Sequence, residues 1–407
     1  MFVQYLKDEI TKDAKIDKDI DFSKISSSTN GQGVYLRSGT ENNKNPIYYY
    51  RGNITNNNVK FANLCWKIVR TTETGGIKLI YNGTSYNGYC NRTGSYTQIG
   101  TSYFNSNYAS PTYVGYMYGP IYNRLTKAAA DITAGIVYGN DIEYKDGKYH
   151  LKDKYISENG WEKDYTTIST KYHYTCFSTE DSCETVNYIY NAKVSSVAYY
   201  FELAGGKTHT TILDEMVTNS TNENNSTIKT YVDTWYSTNM INYTSYLEDT
   251  VWCNDRSIYQ LNGWDKDKNA TDHLTFSATK NLYIDYAPKL DCSNRNDSFT
   301  VSSENGNGKL TYPVSLLTTD EITLAGSVIG TNSNFYLKNG YVWWTITPNT
   351  FAGHSAFVFY LDNNGNLTKN SNVKYSAGVR PTISLKSWID YISGTGTTTN
   401  PYVIETN

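Results

Sequence analysis

NGYVWWTITPNTFAGHSAFVFYLDNNGNLTKNSNVKYSAGVRPTISL (339–385) sets two adjacent tryptophans before a Thr-Pro step, continues in two alternating apolar runs and closes on Gly-Val-Arg-Pro. Neighbours on a strand point to opposite faces. Trp343 and Trp344 are therefore expected to divide, one filling the core and the other lying near Asn349, Phe351 and His354. Proline lacks the ladder donor and is confined to strand ends or edges, so Thr347-Pro348 is expected to end the strand. NTFAGHS (349–355) then leads into a hairpin turning at Asn364-Gly365. On this reading Trp344, Asn349, Phe351 and His354 are candidate ligand-binding residues. The competing reading packs both tryptophans beneath the loop, because large aromatics are usually well buried.

The 407-residue chain is long enough for more than one domain with a real core. Charged residues are 18% of it, below the roughly 25% of an average globular protein, so its polarity rests on Asn, Thr, Ser and the hydroxyls of 40 tyrosines. With 36 Lys+Arg against 39 Asp+Glu and no basic cluster, there is no footprint for nucleic acid. No apolar run is long enough to span a membrane, and MFVQYLKDEITKD has neither the basic nor the apolar region of a signal peptide. The chain is either cytoplasmic or begins after a removed signal or anchor.

The six cysteines contain no C-x-x-C, and five scattered histidines supply no second half of a zinc site. Order along the chain favours local disulfides: Cys65–Cys90 across a hairpin, Cys176–Cys183 across a tight loop and Cys253–Cys292 across a longer one. Such bonds belong to an exported protein, six buried thiols to a cytosolic one.

FVQYLKDEITKDAKI (2–16) spaces Phe2, Leu6 and Ile10 as an amphipathic helix does, and with the polar linker after it makes up residues 1–45. From 46 to 131 the chain reads as strands, with a turn at Gly75-Gly76 and Trp66 and Ile68 on one face. Residues 132–206 read as a β-rich insertion, opened by a hairpin around Asp146-Gly147. Residues 207–390 resume the main domain, with a helix in STIKTYVDTWYSTNMINYTSYL whose apolar stripe is read as core packing. A tail, 391–407, follows. Abundant Tyr, Thr and Val with frequent Asn-Gly and Gly-Gly steps give a β-rich α+β class.

In SLLTTDEITLAG (315–326), Thr318 and Glu321 have the spacing of a capping box. The adjacent carboxylates Asp320 and Glu321 diverge by about 100° on one helical turn, which suits capping better than an acid/base pair. DKDKNATD (265–272) offers oxygen ligands for calcium at Asp265, Asp267, Asn269 and Asp272 but lacks the EF-hand Gly and Glu, so a solvated loop is the plainer reading. No Gly-x-Ser-x-Gly, phosphate loop or His-Glu-x-x-His is present.

The set YVGYMYG (113–119), HYTC (173–176), TIKTYVDTWYSTNM (227–240), VWCNDRS (251–257), YPVSLLTTDEI (312–322), WWTITP (343–348), GVRPTISL (378–385) and GTGTTTNPYVI (394–404) resembles an uncharacterised family of exported proteins of Gram-positive gut bacteria. Its Trp-Trp and Gly-Val-Arg-Pro portion is similar to a bacterial domain of unknown function. More distantly, LLTTDEI and GVR resemble elements of the C-type lectin-like fold of formylglycine-generating enzymes. That resemblance implies a lectin-like domain carrying a β-rich insertion and a short N-terminal helix. It puts Thr318 and Glu321 at a core helix start and Arg380 at the entry to a closing strand. A buried Arg380 is then expected to pair with a carboxylate such as Glu321. Those enzymes use cysteines late in the domain and this chain has none after Cys292, so their catalytic role is not carried over; no catalytic residue is assigned, and the spacings above assign no metal or cofactor.

The function implied is an extracellular or cell-surface binding protein, adhesin-like or lectin-like, that recognises a glycan or protein ligand through aromatic and Asn-rich loops. A structural surface or appendage subunit and a glycan-processing enzyme are the alternatives.

Overall fold

The computed structural model describes residues 5–41, 45–108, 111–119, 221–262, 273–352 and 355–406, together with four short strands between 142 and 192. The fold is β-rich α+β. Its first sheet has eight strands, beginning where a helix was expected to run on to residue 16. Helix α1 spans only Leu6–Thr11 and buries Leu6 and Ile10; Phe2 lies outside the described residues. Beyond it, strand β1 (Lys15–Ile16) runs parallel to β2 (Gly33–Leu36), which pairs antiparallel with β3 (Tyr48–Arg51). The stretch read as polar linker therefore supplies a strand, and Tyr35 packs into a small core with Phe22, Tyr49 and Leu324.

Strands β4 (Asn58–Phe61), β5 (Leu64–Thr71) and β6 (Ile77–Thr84) form the antiparallel centre of this sheet. The β5–β6 turn passes through Gly75 at φ +89°, a conformation glycine adopts without steric cost. Trp66 and Ile68 are buried on β5 as their alternation predicts. Two late strands complete the sheet: β14 (Thr382–Leu385) lies antiparallel to β6 and β15 (Tyr402–Val403) parallel to β4. The expected tail is thus tied into the domain, and the Asn58 amide nitrogen donates to Gly396 O at 2.8 Å.

The second sheet has seven strands. Strands β8 (Ile258–Asn262), β9 (His273–Phe276), β10 (Trp343–Ala352), β11 (Ser355–Leu361) and β12 (Leu367–Asn372) follow in antiparallel order. The short β13 (Ser376–Gly378) bridges β10 to β7 (Thr101–Tyr103). Pro348 does not end its strand. The β10–β11 register shifts on either side of it, so the proline sits in an irregularity where its missing donor breaks no regular ladder. The turn at Asn364-Gly365 forms as expected, with Gly365 at φ +77°.

Helix α2 (Thr227–Asn239) is capped by Ser226, whose Oγ accepts from the Lys229 amide at 3.2 Å. Its stripe of Ile228, Val232 and Tyr236 is fully buried, so the aromatic face is packing. Helices α3 (Ser277–Tyr283) and α4 (Thr319–Ala325) are short, and one apolar core includes residues of both sheets and of α2, α3 and α4. Of the insertion, Ile142–Lys145 pairs antiparallel with Lys148–Leu151, bracketing Asp146-Gly147, and Trp161–Lys163 with Tyr190–Ala192. The other strands expected there lie outside the described residues. Among the described residues no helix is long and apolar enough to cross a membrane.

Candidate functional site

The ligand surface expected around Trp344 is not a surface. Trp343 and Trp344 are both 0% exposed, and Phe351 and Asn349 are buried beside them on β10. Trp344 donates from Nε1 to Ser102 O at 2.9 Å and packs its ring against Phe104 and Tyr360. Alternation separates core from surface only when one face of a sheet is solvated; here both faces of β10 are covered. Trp344, Asn349 and Phe351 are accordingly corrected from binding residues to core, and His354 lies outside the described residues.

Thr318 and Glu321 form the expected capping box on α4. Thr318 Oγ1 accepts from the Glu321 amide at 3.2 Å, and Glu321 Oε2 accepts from the Thr318 amide at 3.0 Å. Glu321 does more than cap. Its Oε1 accepts from Arg70 Nε and Lys78 Nζ, each at 2.7 Å, with all three side chains buried. Burial pushes the Glu321 carboxyl up, but Lys78 and Arg70 outweigh it and hold its pKa at about 2. Among the described residues no cation pairs with its neighbour Asp320: burial dominates and lifts it to about 7, against a hydrogen bond from the Lys289 amide at 2.7 Å. Each carboxylate is thus committed to local partners.

Arg380 is buried as expected, but Glu321 is not its partner. The guanidinium donates to Tyr81 O at 3.1 Å, Leu337 O at 2.8 Å and Asn82 Oδ1 at 3.2 Å, and lies 5.1 Å over the Trp343 ring. Three neutral oxygens and an aromatic face replace the carboxylate. Burial pulls its pKa to about 9, still above physiological pH, so the charge is retained.

Following Arg380 outward through Asn82 leads to a cleft of about 560 Å³, within the range of small-ligand sites. Asn53, Lys67, Asn82, Arg92, Lys338 and Asn339 line it among others. One wall is the loop after β6. The Asn87-Gly88 step folds it into a tight turn, both residues at positive φ (50° and 84°), with Tyr86 and Tyr89 exchanging backbone hydrogen bonds at 3.1 and 2.9 Å. The Cys65–Cys90 disulfide ties this turn to β5, and the Cys90 amide donates to Thr398 O at 2.7 Å. Gly83 permits the closure: a side chain there would meet Tyr96 O at 2.8 Å and Arg92 Cβ at 3.0 Å.

Three exposed aromatic rings lie next to lining residues Arg92 and Gly94. The Arg92 guanidinium lies 4.6 Å from the Tyr86 ring centre and 5.4 Å from that of Tyr96. Its Nε is buried without a hydrogen-bond partner. Tyr96 is 69% exposed, Tyr86 53% and Tyr341 49%; the Tyr341 ring covers Gly94. The opposite wall is anchored by Asn339, whose Nδ2 donates to Thr97 Oγ1 at 2.9 Å. Burial, then the nearby charge of Arg380, lowers the Lys67 ammonium from 10.5 to about 8. The stretch YNGYCNRTGSY (86–96) carries no catalytic or metal-ligating pattern and so escapes a motif search; its available signal is an Asn-Gly turn flanked by tyrosines.

A larger cleft of about 860 Å³ lies near Asp249 and Glu73. Two of the three carboxylates that line it are engaged: Asp249 accepts from the Val301 and Ser302 amides at 2.8 and 2.7 Å, and Glu73 pairs with Arg70 at 3.0 Å; the third is Asp291. The Cys253–Cys292 disulfide is present as expected, with its Cα atoms 5.5 Å apart. Cys176–Cys183 and the acidic loop 265–272 lie outside the described residues. Among the described residues no three His, Cys, Asp or Glu side chains cluster as a metal site requires. Comparison of the chain with protein-family models, with curated proteins and with solved structures gives no match.

Proposed function

We propose that this chain is a binding protein of the cell exterior that takes a glycan into the cleft between the 85–97 loop and the 333–340 segment. The observation that carries this reading is Arg92, which lies over the rings of two exposed tyrosines, has a buried, unpaired Nε and lines an asparagine-rich cleft. Exposed rings give flat stacking faces, and asparagine amides match the paired donors and acceptors of sugar hydroxyls. The two disulfides support an oxidising compartment. A C-type lectin-like assignment of the fold belongs with this proposal and draws on the capping box at Thr318 and the strand that follows Arg380. The commitment of Asp320 and Glu321 to local partners favours binding over glycan processing.

A glycan array probed with the intact chain tests the reading, followed by the Tyr96→Ala/Tyr341→Ala double variant. Retention on some glycans, lost in a double variant of unchanged melting temperature, is the expected result. Equal retention by parent and variant moves the site elsewhere. Self-assembly of the parent without glycan binding favours the structural-subunit alternative.

A further inference from the structure

The cleft has an electrostatic signature that neutral sugars do not require. Its lining contains Lys67, Arg92 and Lys338 but no aspartate or glutamate, in a chain whose acidic residues outnumber its basic ones, 39 to 36. Below its floor sits a fourth cation, Arg380, bonded to Asn82 of the lining. Lys67 donates to the neutral Oδ1 of Asn58 at 3.2 Å. Among the described residues no ion pair engages any of these four cations. This contrasts with Arg70 and Lys78, which share a carboxylate a few residues away on the same hairpin. Partly desolvated cations without counter-charge repel one another and hold a positive potential in a concave site, where field lines focus.

We infer that the ligand is an acidic glycan whose oxyanion group is held by Arg92 and Lys67 while its sugar rings lie against the tyrosines of the rim. This inference rests on the glycan-binding reading above and adds the charge of the ligand to it. A carboxylate or a sulfate ester supplies the same chemistry, a multi-acceptor anion for a guanidinium whose Nε lacks a partner. A sugar is favoured over an acidic peptide, since Tyr86 and Tyr96 beside Arg92 and Tyr341 beside Gly94 offer exposed ring faces next to the lining and the asparagines of the lining offer amides.

Titration calorimetry on the intact chain decides the point with matched probes: a galacturonic acid trimer, its methyl ester, and a neutral galactan oligomer with and without sulfate. The carboxylate or the sulfated oligomer should bind at least about tenfold tighter than its neutral counterpart, the effect of charge-assisted hydrogen bonds. The preference should collapse in Arg92→Gln and weaken in Lys338→Gln, which removes one cation of the lining and keeps the test open should the first variant misfold. Which acidic probe binds distinguishes carboxylate from sulfate. Equal binding of neutral and acidic probes overturns the inference and leaves glycan binding intact. Failure of every oligosaccharide, with or without binding of a poly-glutamate peptide, overturns both.

Discussion

Arg70 and Lys78 stand directly opposite each other across the β5–β6 hairpin and converge on one oxygen of Glu321. Like charges in that register destabilise a strand pair. The α4 carboxylate reverses the sign, so the helix start and the central hairpin of the first sheet are locked by a single side chain. Lys78 also lies 4.2 Å over the Trp252 ring and is 1% exposed.

Glu321→Gln should therefore destabilise the fold by about 3–5 kcal/mol, the range for breaking a buried pair from one side. Urea unfolding measures it. The Glu321 pKa is depressed in the folded state, from 4.5 to about 2. Its stabilisation is thus present above pH 4.5 and lost as pH falls toward 2, and the gap between variant and parent should narrow over that window. A constant gap between pH 6 and pH 3 would count against an ionic origin.

Asp320 predicts the opposite dependence. Its folded pKa is raised from 3.8 to about 7, so its contribution to stability is greatest below 3.8 and falls away as pH rises through 7. Asp320→Asn keeps an acceptor for the Lys289 amide but never ionises. The variant should match the parent at pH 4 and exceed it at pH 8, by up to about 4 kcal/mol. Thermal unfolding at the two pH values checks this, and a variant less stable at pH 8 would refute it.

Arg380→Met should act on two observables at once. Removing the guanidinium strands the carbonyls of Tyr81 and Leu337, at roughly 1–3 kcal/mol for each buried acceptor left without a donor. It also removes the second cause of the low Lys67 pKa, which should climb from about 8 part of the way back to 10.5, burial remaining. NMR titration of labelled lysine reads the shift, and an unmoved Lys67 would mean that burial alone sets its value.

The Cys65–Cys90 bond, spanning 25 residues, should contribute about 2–4 kcal/mol. Because it also anchors the cleft wall, the Cys65→Ala/Cys90→Ala variant should show faster amide exchange over residues 86–96 than over β6. Uniform change across both would make the bond a global staple only.

Local patterns were legible in the amino-acid order because their causes are local. The Thr318–Glu321 capping box, the turns at Gly75-Gly76 and Asn364-Gly365, the α2 stripe and two of the disulfides all depend on spacing along the chain. What tertiary structure alone decided is which strand is central, which ends meet and which charges face one another. Trp344 is core because β10 is covered on both faces, and Pro348 stays within a strand because the register shifts around it. Residues 33–36 become a strand by pairing between β1 and β3, and 402–403 by finding the edge of β4, remote in sequence. Arg380 takes neutral oxygens while Arg70, 251 residues from Glu321, takes the carboxylate. Burial and pairing over such separations depend on the packed whole, and no short window of sequence encodes them.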